Sequence, residues 1–164
     1  MNAQRQVWRE GVVAGLLGAA GVALWFLVID VMAGQMFRTP GLLGKAMLGV
    51  LGHGIENTLV FNAAAYTVFH VLAFVGVGLV ASKLLDVSRR TPQLVAGLAL
   101  VFAVFEVGFY FLAMMISKPD ILGALAWYQI GAANLVAAAL MGWYLWRRHP
   151  ELGPTLEHSL DGSV

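Results

Sequence analysis

The chain has 164 residues, 60% of them hydrophobic and 12% charged, with a mean hydropathy of +0.79, whereas soluble domains carry about 25% charge. The net charge of +1 excludes the basic field that nucleic-acid binding demands. The absence of cysteine excludes disulfides, thiolate zinc sites, iron–sulfur clusters and thiol redox chemistry together.

In chain order, the first apolar run is Gly11–Gly34, interrupted only by Asp30. Arg5 and Arg9 precede it as they would a signal peptide, but it exceeds an h-region of about 7–15 residues, so it reads as a retained span. Residues 41–52 follow, with Leu42, Leu43, Ala46, Met47, Val50 and Leu51 forming a narrow helical stripe. That segment is too short to cross a bilayer and reads as an interfacial or re-entrant helix. The second apolar run is Leu59–Ala81, the third Leu94–Ile116 with Glu106 as its one charge, and the fourth Leu125–Trp146. Each run is long enough to cross ~30 Å of hydrocarbon at ~1.5 Å per residue. A bilayer forces the backbone to satisfy its own hydrogen bonds, so the runs are predicted to be helices. Residues 149–164, rich in Pro, Gly and mixed charge, read as a mobile tail.

The expected fold class is therefore all-α, an integral membrane four-helix bundle of two tandem out-and-back hairpins. Arg5, Arg9, Lys83, Arg89, Arg90, Arg147 and Arg148 fall on one side of it, and Arg38, Lys45 and Lys118 on the other. That asymmetry predicts an inner-membrane protein with both termini in the cytoplasm. Trp8, Trp143, Tyr144 and Trp146 at one boundary, and Phe37, Trp127 and Tyr128 at the other, fit the interfacial aromatic pattern.

The sequence also suggests an internal duplication. VAGL recurs at 13–16 and 95–98, and TPGLLG at 39–44 resembles KPDILG at 118–123. An even number of spans per copy would relate the two hairpins by an axis along the membrane normal. The second and fourth spans align at an offset that pairs His70 with Asn134.

Counted from the cytoplasmic boundary, His70, Glu106 and Asn134 each lie roughly 18–20 Å deep, near the middle of the core. A carboxylate at that depth costs about 2.5–3.5 kcal/mol on insertion scales and seeks a partner. His70 is the expected partner of Glu106, and such a pair can share a proton. Asn62, Tyr66 and His70 follow one another at four-residue spacing, as do Glu106 and Tyr110, giving two polar stripes. The competing reading makes these groups interhelical hydrogen-bond glue. Gly11 with Gly15, and Ala14 with Gly18, form small-xxx-small pairs that predict close helix packing within the chain.

At the outer face, Asp30 with the H-x-x-E pair His53 and Glu56 is the candidate for a divalent metal. A b-type haem would need His70 from two copies, because no other histidine lies within a span. Neither cofactor is favoured. No GxGxxG, P-loop, HExxH or GxSxG string occurs.

Three functions fit these features. The first is an accessory or self-associating subunit of a membrane complex, partnered by lipids and by other subunits or copies of itself, with no catalytic residues. The second is a small proton-coupled carrier using His70 and Glu106. The third is a haem- or metal-binding membrane protein.

Overall fold

The computed structural model describes residues 3–52, 58–88 and 127–150, and among these every regular element is an α-helix. They are α1 (Ala3–Met32), α2 (Arg38–Leu51), α3 (Leu59–Ser88) and α4 (Trp127–Arg148). Two of them, over Gln4–Met32 and Leu59–Val87, are long and apolar enough to cross a membrane. The predicted third span, 94–116, lies outside the described residues, and with it Glu106 and Tyr110; so do His53, Glu56 and residues 151–164 of the tail.

α1 starts eight residues before its apolar run, because Gln4, Arg5, Gln6, Arg9 and Glu10 are good helix formers. It ends on Gly34, whose positive φ of 69° takes the left-handed turn that a side chain would resist. The Gln35 amide donates to the Asp30 carbonyl at 2.9 Å and the Gly34 amide to the Val31 carbonyl at 3.0 Å, the paired bonds of a Schellman cap. α2 begins immediately after Phe37 and carries Pro40 in its first turn, where a missing N–H costs nothing. The hydroxyl of Thr58 accepts from the Phe61 amide at 3.2 Å and caps α3.

α1 is the central helix, with α3 and α4 both running antiparallel to it. Its contacts with α3 keep one register: Val7 meets Ser82, Gly11 meets Gly78, Gly15 meets Phe74 and Ala19 meets His70. Glycine makes that approach possible. A Cβ at Gly11 would lie 2.7 Å from the Leu79 Cα, and one at Gly15 would lie 2.5 Å from the Val75 Cα. The small-xxx-small pairs of the sequence thus serve packing within the chain.

The other side of α1 meets α4. Val22 and Phe26 pack with Ile130, Ala133 and Ala137, and Ala14 packs with Met141 and Leu145. The buried stripe of α4 steps by three or four residues through Ile130, Ala133, Ala137, Met141 and Leu145. α2 lies across the start of α3. It approaches through Gly41 and Gly44, which meet Leu59 and the Asn62 backbone, rather than through the predicted leucine stripe. Leu43 of that stripe packs inward, while Val50 is exposed.

Candidate functional site

Two members of the predicted polar stripe of α3, Tyr66 and His70, line a cleft of about 260 Å³ between α1, α2 and α3. Asp30 and Thr39 lie at one end of it, Tyr66 and His70 on the α3 wall, and Val22, Phe26 and Leu27 on the α1 wall. Each polar group is held differently.

Asp30 is 2% exposed, and both of its oxygens are engaged. Oδ2 accepts from the Thr39 amide and Oδ1 from the Thr39 hydroxyl, each at 2.7 Å. The carboxylate therefore caps the first turn of α2, where an amide has no helical acceptor and the helix dipole favours negative charge. Asp30 has a structural duty that the metal reading did not anticipate. Among the described residues no group of three or more His, Cys, Asp or Glu side chains comes together to hold an ion.

His70 places Nε2 3.2 Å from the backbone carbonyl of Ala19, fastening α3 to α1 at mid-length. A carbonyl only accepts, so Nε2 carries the proton in this bond, and a neutral ring leaves Nδ1 as an acceptor. Its orientation is fixed from both sides along α3. The Tyr66 ring stacks on it at 5.5 Å, and the Phe74 ring meets it at 4.7 Å, tilted by 53°. The four-residue spacing of Tyr66, His70 and Phe74 sets this ladder, since such side chains share a helix face. Thr67 is satisfied by its own helix, donating to the Ala63 carbonyl at 2.7 Å.

The remaining candidates separate. Asn62 is buried against α2, and its side-chain oxygen has no hydrogen-bond partner among the described residues. The indole N–H of Trp25 is buried and unpartnered in the same way. Asn134 is half-buried on α4, and no hydrogen bond joins it to His70.

A second polar cluster went unread in the sequence. Glu10 and His149 are both buried, with His149 Nε2 3.0 Å from Glu10 Oε2. Gln6 donates to the other oxygen at 3.1 Å, and Ser82 of α3 donates to the Val7 carbonyl at 3.0 Å close by. This joins the start of α1 to the ends of α3 and α4. His149, assigned from sequence to the tail, continues the buried stripe of α4 one step beyond Leu145. That spacing was the available signal, and Pro150 behind it masked the signal by marking a helix end.

Compared with models of protein families, with curated proteins and with solved structures, the chain matches none of them.

Proposed function

We propose that the chain is a small multi-pass integral membrane protein that works as an accessory or self-associating subunit of a membrane complex. One observation carries this reading. α3 is apolar apart from one short polar stripe, yet only 17% of its most apolar stretch is buried within the chain. Val60, Phe61, Val68, Phe69, Leu72 and Val80 are all exposed, far more apolar surface than a water-facing helix sustains. Hydrocarbon and neighbouring subunits are the surroundings that accept it.

Supporting this, Arg5, Arg9, Lys83, Arg147 and Arg148 belong to the end of the bundle where α1 starts and α3 and α4 finish, while Arg38 and Lys45 belong to the other. A cytoplasmic location for the first end satisfies the positive-inside rule. The bond from His70 to a backbone carbonyl favours helix fastening as the role of that histidine, which suits a subunit better than a carrier. The carrier alternative draws on the cleft itself, which places Tyr66 and His70 along one wall.

Native mass spectrometry of the gently solubilised protein from its own host tests the proposal. A complex with additional protein subunits, or a defined homo-oligomer inert in proton-flux assays, is the expected result. A lone chain whose proton-coupled flux is abolished by His70→Ala would replace this reading with the carrier. Reporter fusions at the two termini test the topology, and a terminus found outside the cytoplasm overturns it.

A further inference from the structure

The cleft has the dimensions and chemistry of a lipid site. Its α1 wall runs from Val22 to Asp30, about 12 Å of helix rise. The volume of about 260 Å³ is spread along that length as an elongated, sideways-open groove rather than a rounded cavity, the shape an extended chain occupies. The rim residues Leu24, Leu27 and Phe37 are exposed, so the cleft opens sideways onto the apolar surface of the helix pair. Among the described residues no Lys or Arg lines it, and the one carboxylate there, Asp30, is engaged by Thr39. The walls thus suit an uncharged chain.

One wall group is left for a ligand. Tyr66 lines the cleft and its hydroxyl makes no hydrogen bond among the described residues, while Thr39, Thr67 and His70 all do. Tyr66 lies about 25 Å from the cytoplasmic boundary, within the outer third of a ~30 Å core and one turn above His70. At that depth a phenol donor in an apolar wall meets the ester carbonyl of a lipid.

Phe37 adds a second, independent feature. It sits at the mouth with φ of 66°, a left-handed conformation that is strained for a bulky residue. Such strain gathers at ligand clamps, where the surrounding structure enforces it. Phe37 stands between the Schellman turn at Gly34 and the Asp30 cap of α2, at the lip of the cleft.

We infer that the α1–α2–α3 cleft binds one acyl-ester lipid, with an acyl chain lying along Val22–Leu27 and its ester carbonyl accepting a hydrogen bond from the Tyr66 hydroxyl. The inference rests on the membrane reading above.

The test reconstitutes the full chain in vesicles of phosphatidylethanolamine and phosphatidylglycerol, checks that it floats with them, and re-extracts it in mild detergent for native mass spectrometry. The expected result is one lipid retained per chain, its mass distinguishing an intact phospholipid from a free fatty acid. A free fatty acid, which has no ester carbonyl, would overturn the assignment. Ala23→Phe fills the cleft from an exposed wall position and is expected to abolish retention. Tyr66→Phe is expected to lower it roughly three- to tenfold, one hydrogen bond's worth. Leu72→Phe, on the exposed side of α3, leaves it unchanged. Retention in Ala23→Phe equal to wild type, or none in wild type, overturns the lipid site while flotation upholds the membrane reading. Failure to float overturns the membrane reading itself.

Discussion

The carboxylate of Asp30 grips Thr39 twice, through its amide and its hydroxyl, each at 2.7 Å. The backbone carbonyl of the same aspartate takes the Gln35 amide in the cap of α1. One residue thus ends α1, starts α2 and closes one end of the cleft. Asp30→Ala is expected to cost about 1–2 kcal/mol, the upper part of the range for lost caps, because the Thr39 groups it strands are buried. Asp30→Asn, which keeps one acceptor oxygen, should lose about half as much. Thermal unfolding in detergent, followed by circular dichroism, measures both; equal losses would mean that charge alone matters.

The α1–α3 approach sorts the glycines. A Cβ at Gly15 would collide with the backbone of Phe74 and Val75, which cannot swing aside as a side chain would. Gly15→Ala is therefore expected to cost at least the ~1–3 kcal/mol typical of overpacking. At Gly76 and Gly142 a Cβ meets nothing within 4 Å. Alanine there should stabilise by about 0.5–1 kcal/mol through helix propensity. Melting curves of the three variants decide the matter, and a neutral Gly15→Ala would contradict the packing.

Glu10 and His149 are predicted to be energetically coupled. Glu10→Ala removes the carboxylate from beside a buried imidazole and His149→Ala leaves the buried carboxylate with Gln6 alone of its two described partners, each expected to cost about 1–3 kcal/mol. The double variant should cost less than the two singles together, with a coupling of roughly 0.5–3 kcal/mol. A double-mutant cycle on unfolding free energies gives that number directly. Strict additivity would remove the pair as a fastening.

For His70, the fastening role predicts that His70→Phe, which keeps the stack with Tyr66 and Phe74 but loses the bond to Ala19, costs about 0.5–1.5 kcal/mol. On the proposed subunit reading, assembly with other subunits or copies should survive. The unfolding midpoint and the native mass spectrum read the two consequences separately. Unchanged stability together with lost proton flux would instead favour the carrier.

Much was legible in the residues alone. Long apolar runs of about twenty residues or more predict helices on the premise that they lie in a bilayer, and α1, α3 and α4 are helices over their described residues. The spacing of Gly11, Gly15, Ala14 and Gly18 announced close packing, because only small residues let two backbones approach. The stripe through Tyr66 and His70 was legible too, since residues four apart share a face of any helix. Which groups would meet across helices was not. Asp30 read as a loose ligand at an interface, and its engagement by Thr39 depends on a turn whose geometry is set by a left-handed glycine. For His70 the spacing suggested Glu106, which lies outside the described residues; within them its partner is the backbone carbonyl of Ala19. No sequence pattern marks that group, because every residue carries one. Glu10 and His149 lie at opposite ends of the chain, and only the antiparallel docking of α4 on α1 brings them within 3.0 Å. Local spacing fixes faces; the register between helices, which side-chain volume and glycine contacts decide, is what selects partners.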